Sequence, residues 1–180
     1  MRLFIALPLP PKITRELTNN VKNIQPYCTR GNFSDPQNYH LTLHFLGDCT
    51  AAQLINLQKL LPDLAAKHQQ FTLHLDRCGT FVRGNRHILW RGIKPPYPEL
   101  LYLVQDLEEK LSNLGWMAES RTFKPHLTLA RQVVFTRELT KIAIKEQPLS
   151  FSVKQLALME SHLLEGKLTY TPLCLANLKH

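Results

Sequence analysis

The chain has 180 residues, 22 Lys and Arg, 14 Asp and Glu, and eight His, giving a formal charge of +8 at pH 7. At 44% hydrophobic and 20% charged residues, the composition excludes a disordered, fibrous or coiled-coil chain and suits one globular unit with a sizeable core. No apolar run approaches the ~20 residues that a membrane-spanning helix needs. The four scattered cysteines (Cys28, Cys49, Cys78, Cys174) form no Cys-x-x-Cys pair that would point to zinc or a disulfide framework.

The short apolar start, Arg2 to Leu7, is broken by Pro8 and followed by Lys12, which reads as a buried strand rather than a signal sequence. The expected compartment is the cytoplasm. Ile13, Leu17 and Val21 recur at four-residue spacing and predict a helix over 11–24. The turn-rich stretch 25–38 reads as a surface loop, and 39–46 as a strand stopped by Gly47-Asp48. Thr50 and Gln53 make a capping box for a helix whose core face is Leu54, Leu57, Leu61 and Leu64.

Strands are expected at 70–75 and 87–93. A longer helix follows over 98–114, with Leu100, Leu103, Val104, Leu107 and Leu111 on one face and Gly115 as its stop. The rest reads as a strand at 126–131, a weak helix at 137–144, one strand over 149–161 and a last strand at 168–175. Helices and strands interleave without strict β-α-β regularity, which predicts an α+β fold with largely antiparallel sheet.

One tetrapeptide is repeated. His40-Leu41-Thr42-Leu43 recurs letter for letter 86 positions later as His126-Leu127-Thr128-Leu129. On a strand, alternate residues share a face, so each copy sets an imidazole and a hydroxyl about 6.6 Å apart, with its leucines toward the core. A single such pair needs no explanation beyond a solvated strand face. Two copies suggest related lobes that bring two His-x-Thr strands together across a groove. Paired imidazoles are the minimum equipment for acid–base chemistry near neutral pH, and the hydroxyls can hydrogen-bond anionic oxygens.

No carboxylate cluster accompanies either copy, so metal-assisted hydrolysis is not suggested. His40 and His44 lie four apart, a spacing that serves zinc on a helix and not on a strand. There is no Gly-x-Ser-x-Gly elbow and no phosphate-cradling glycine loop. Two histidines with hydroxyls and nearby cations match phosphodiester cleavage, in which a base activates the attacking oxygen and an acid protonates the leaving one. Arg131 and Lys124 could supply the cation, and solvated strand-end charge is the plainer reading of each.

At these residues the chain resembles the 2H phosphoesterase superfamily, and within it the bacterial and archaeal RNA 2′,3′-cyclic phosphodiesterases, also called 2′-5′ RNA ligases. The segments that carry the resemblance are 2–7, 38–47, 123–131 and Tyr170-Thr171-Pro172-Leu173. The resemblance implies a single domain over 1–180 made of two intertwined, pseudo-twofold lobes around a central groove. It implies hydrolysis of an RNA or nucleoside 2′,3′-cyclic phosphate to a 2′-phosphomonoester, without cofactor or metal, by a monomer that engages no membrane. His40 and His126 carry over as the catalytic pair, with His40 as acid and His126 as base. Thr42 and Thr128 carry over as ligands of the nonbridging oxygens, and Arg131 as a phosphate contact. Ligation by the same site in reverse, and nucleotide or RNA binding without turnover, are the rival activities.

His44 departs from the family pattern, which commonly has a small residue there. By alternation it shares the face of His40 and Thr42, where it could contact substrate, perturb His40 or sit at the groove's exposed end. Phe45 falls on the opposite face and reads as core, unless a strand-end twist brings it to a base, which aromatics stack without sequence preference. Arg83, Arg86 and Arg91 either guide an RNA backbone or decorate a solvated loop.

Overall fold

A computed structural model describes residues 1–117 and 122–180. Among these described residues, nine strands and three α-helices run in the order β1 (Arg2–Pro8), α1 (Pro11–Ile24), β2 (Cys28–Phe33), β3 (His40–Asp48), α2 (Ala51–Ala65), β4 (Phe71–Arg83), β5 (Arg86–Ile93), α3 (Pro98–Asn113), β6 (His126–Phe135), β7 (Ser150–Val153), β8 (Gln155–Leu164) and β9 (Lys167–Asn177). The strand order is β7-β4-β5-β6-β3-β1-β8-β9, with β2 also paired to β6, and every strand pairing is antiparallel. The fold is α+β, as the interleaved pattern predicts.

That order reads alike from both ends. Each half contains a strand, a helix and a motif strand: β1, α1, β3 in one and β5, α3, β6 in the other. Each motif strand pairs with the first strand of its own half, and the outer strands follow in the same sense. The halves meet where β3 pairs with β6, at Leu41 opposite Leu127. Both leucines are fully buried, as alternation with His40, Thr42, His126 and Thr128 requires.

The helices knit the halves together. The apolar stripe of α1 (Ile13, Leu17, Val21, Ile24) and that of α3 join one core with the leucines of the sheet. The capping box of α2 forms as expected, with Leu57, Leu61 and Leu64 buried and Leu54 half-buried. The Asp106 carboxylate of α3 takes a 2.9 Å contact from His68 Nε2 just past the end of α2.

Several expected boundaries move, each because a partner strand overrides local pattern. The stretch 25–38 is not all loop: β2 forms inside it because the outer part of β6 offers an edge. β4 runs to Arg83 instead of ending at Leu75, since its far half pairs with β5 up to the turn at Gly84 and Asn85. The strand expected over 149–161 is two strands: the chain leaves β4 after Val153 and joins β1 and β9 from Gln155.

The helix expected at 137–144 is reduced to one 3₁₀ turn, Leu139–Lys141. A buried polar cluster holds the chain that follows. Arg91, 2% exposed, donates to Asn20 Oδ1 at 2.9 Å and to the Gln147 carbonyl at 3.1 Å, with Glu16 and Glu146 carboxylates alongside. Glu16 also accepts from the Gln147 amide at 2.9 Å, and Asn20 donates to the Lys145 carbonyl at 3.3 Å. The backbone of Lys145 and Gln147 is thus paired with side chains of α1 and β5. Arg91 is therefore not an RNA guide: it lies opposite Leu127 on the inward face of β5 and ties α1 to the second half.

Because Leu127 is fully buried where the two motif strands meet, Leu127→Ala should cost about 2–5 kcal/mol in urea unfolding through loss of buried contacts and the cavity left behind. A cost below about 1 kcal/mol would mean that the halves are held chiefly elsewhere.

Candidate active site

Each motif strand carries one extra residue, and in the same place. Ala6 pairs with Thr42 and Ile5 with His44; in the other half Trp90 pairs with Thr128 and Leu89 with Ala130. Two steps along the motif strand thus match one step along its neighbour, which is a β-bulge and reverses the alternation beyond it. His44 and Ala130 turn inward, at 4% and 0% exposure, and Phe45 and Arg131 turn out into the groove.

This corrects two expectations. His44 does not share the face of His40 and Thr42, and Phe45 is not core: it is 56% exposed and lines the groove. Arg131, which strict alternation would put on the far side from His126, lines the same cavity as His126 and Thr128. A second irregularity in each strand, with Gly47 at φ +73° and Gln132 at φ +54°, then ends the repeat.

The two imidazoles are held alike. His40 Nδ1 lies 2.7 Å from the Asn38 carbonyl, and His126 Nδ1 lies 2.7 Å from the Lys124 carbonyl. A carbonyl only accepts, so each Nδ1 carries its hydrogen and each Nε2 is the nitrogen left for chemistry. His40 Nε2 is 2.8 Å from Thr42 Oγ1, so with the ring neutral the hydroxyl donates to it. Asn38 does more than accept from the ring. Its amide donates to the Leu168 carbonyl at 2.7 Å and accepts from the Tyr170 amide at 3.2 Å, acting as a short extra strand on the open edge of β9.

Aromatic rings complete the setting. Phe4 lies 4.8 Å from the His40 ring and Tyr170 stands edge-on to it at 5.1 Å. Phe81 stands edge-on to His126 at 5.0 Å and packs on Trp90 at 5.2 Å. The indole of Trp90 lies across Gly79, where any side chain would collide with it. Phe4, Phe81, Tyr170 and Asn38 are site residues that the reading of the sequence did not reach. Their proximity depends on strand order; Phe4, Asn38 and Tyr170 fell within the segments that carry the family resemblance, and Phe81 had no advance signal.

Burial pushes the His40 pKa down to about 4, against its bond to the Asn38 carbonyl, with the charges of Arg131 and His126 pushing the same way as burial. His126 is also lowered, by burial first and then Arg131, against its bond to the Lys124 carbonyl. Both rings are therefore neutral at pH 7 while the groove holds no anion. His126 lines a cavity of about 820 Å³, together with Thr42, Phe45, Thr128, Lys124, Arg83 and Arg131 among others, and His40 adjoins it through its bond to Thr42. Arg86 instead donates to Gln132 at 3.1 Å. Among the described residues, no group of three or more His, Cys, Asp or Glu is arranged to hold a metal ion, and no helix is long and apolar enough to cross a membrane.

A strand-borne pair of like-held imidazoles, hydroxyls beside them and cations nearby are groups whose chemistry suits a phosphate. Residues 9–164 match the model of the 2′-5′ RNA ligase superfamily, and the chain belongs to that family. It is 32% identical to the RNA 2′,3′-cyclic phosphodiesterase of Escherichia coli K12 over 96% of this chain and 93% of that protein. The enzyme of the same name from Aquifex aeolicus is 29% identical over 95% and 94% of the two chains. Among solved structures, E. coli LigT complexed with 3′-AMP superposes with a TM-score of 0.83 at 30% identity, covering 99% of this chain and 98% of that one.

In the anion-free protein, ring-nitrogen NMR should find both histidines as the Nδ1–H tautomer at pH 7. His40 should begin to charge only near pH 4, and His126 below the ordinary 6.5. Adding phosphate should raise both midpoints. A His40 midpoint at or above 6.5 would contradict the burial argument.

Proposed function

We propose that the chain hydrolyses 2′,3′-cyclic phosphate ends of RNA, or nucleoside 2′,3′-cyclic phosphates, to 2′-phosphomonoesters with a free 3′-hydroxyl. The observation that carries this reading is the Leu41–Leu127 pairing. Across an antiparallel pair it sets the two His-x-Thr faces side by side on one side of the sheet, and in each ring Nε2 is the nitrogen not anchored to a backbone carbonyl.

The phosphate monoanion sits between the threonine hydroxyls and the Arg131 guanidinium, which take its nonbridging oxygens. Thr42 must swing its proton from His40 Nε2 to phosphate as the substrate enters. His126 Nε2 accepts a proton from water as the water oxygen bonds to phosphorus. On the opposite side the P–O3′ bond breaks and His40 Nε2–H delivers its proton to O3′. The pair ends with its proton on the other ring and resets through solvent. Positioning, charge compensation and proton transfer all come from side chains, so the step calls for no metal. Phe45 stacks the terminal base, and Arg83 and Lys124 draw the strand in through their charge.

The anion has a second task. With both rings neutral beforehand, His40 Nε2 takes up a proton from solvent as the substrate binds, and the negative charge of the substrate is what holds that proton until it is delivered. With a 5′-hydroxyl in place of water as the nucleophile, the same geometry joins RNA ends by a 2′-5′ bond, with the P–O3′ bond again the one that breaks.

Incubation of the purified protein with nucleoside 2′,3′-cyclic phosphates in strong chelator should accumulate the 2′-phosphomonoester. His40→Ala and His126→Ala should each lose about 10²–10⁴-fold in turnover. Retained turnover in His126→Ala, or the 3′ isomer as product, would refute the mechanism. Matched RNA ends with and without a 5′-hydroxyl partner rank hydrolysis against joining.

The pH profile provides a separate test. In the free protein both midpoints lie below the ordinary imidazole value of 6.5, and the active form holds one proton on the pair. The kcat/KM bell should therefore centre below pH 6.5, with the kcat optimum displaced upward by the bound anion. A kcat/KM optimum above pH 7.5 would rule out lowered imidazoles.

A further inference from the structure

A second cavity, of about 520 Å³, adjoins the first at the His40–Thr42 hydrogen bond: His40 and Tyr170 line it, whereas Thr42 lines the cationic one. Its other walls are Pro8 and Leu9 at the end of β1 and Met159 of β8, with Thr14 and Arg15 of α1 at the rim. We propose that this cavity receives the nucleotide on the 5′ side of the cyclic-phosphate end, a proposal that rests on the phosphodiesterase reading above.

Connectivity carries the argument. Both ester oxygens of a 2′,3′-cyclic phosphate belong to the terminal ribose, so that ribose lies against the imidazole that serves the leaving oxygen. From the ribose two arms depart: the base, and the 5′ oxygen that leads to the preceding nucleotide. With the base on Phe45 in the cationic cavity, the remaining space in contact with His40 is the second cavity. Its size is in the range of ligand pockets, and its flat apolar walls of proline, methionine and tyrosine are of the kind that accept a nucleobase.

Charge agrees. The arm that crosses into the cavity is a phosphodiester, and Arg15 at the rim is exposed and forms no ion pair among the described residues. A guanidinium there can take one phosphate oxygen pair. Tyr170 links occupancy to chemistry, because the ring that walls the cavity also stands edge-on to His40.

The test compares kcat/KM for a nucleoside 2′,3′-cyclic phosphate with that for the dinucleotide bearing the same terminal nucleoside. The unaltered protein should favour the dinucleotide at least tenfold. Arg15→Glu, which reverses the rim charge, and Thr14→Trp, which narrows the mouth, should each lower that ratio about tenfold, toward one. A ratio near one in the unaltered protein, or one that neither substitution moves, overturns the subsite while leaving the mononucleoside reaction standing. Failure of both substrates to turn over defeats the phosphodiesterase reading, and the subsite falls with it.

Discussion

The structure depends on an antiparallel pairing in mid-sheet, Leu41 against Leu127. Every strand has two faces. Where two motif strands meet at their leucines, the opposite faces of both necessarily turn the same way. The leucines seal the core and the His-x-Thr residues share one surface. Neither half could assemble the site alone, because each supplies one imidazole and one hydroxyl. Hydrophobic burial at the seam and juxtaposition of the polar groups above it are the same event.

The frame is nearly symmetric, but its side chains are not. At matched places the first half has Phe45 where the second has Arg131, and buried His44 where the second has Ala130. Even the core is uneven: the neighbour of Leu41 is Leu7, and the neighbour of Leu127 is Arg91. The asymmetry suits the ligand proposed above. A nucleotide end has a flat apolar base and a charged phosphate, so a groove with the same residue at both outward positions would suit neither. One bulge per strand delivers both residues to the groove, and the occupant at each position sets what that side recognises.

Much of this was legible in the residues. Helix periodicity placed α1 and α3 to within a residue, and the Thr50–Gln53 pair marked the start of α2. The repeated tetrapeptide singled out the two motif strands. What strict alternation could not reveal was the extra residue after each threonine. That residue inverted the faces of His44 and Phe45, because a bulge is defined by the partner strand and leaves no mark of its own in a single sequence. The aromatic setting was hidden for a like reason, since Phe4, Tyr170 and Phe81 reach the histidines only through strand order. The segment after Arg137 forms only one 3₁₀ turn, and the chain beyond it is fixed at Lys145 and Gln147 by Arg91, Glu16 and Asn20, whose own burial no local pattern announces.

The aromatic collar also settles how the site can hold a proton. Rings packed against each imidazole strip away water, and a stripped imidazole disfavours charge. The Arg131 guanidinium beyond them disfavours it further. An enzyme built to keep one histidine charged in the empty state would have set a carboxylate behind the ring. Here each Nδ1 meets a backbone carbonyl instead, which orients the ring and lends only a partial charge. The missing negative charge is the one that the phosphate brings. On the proposed mechanism, protonation of the acid is thereby tied to arrival of the anion, and the groove becomes chemically competent as it is filled.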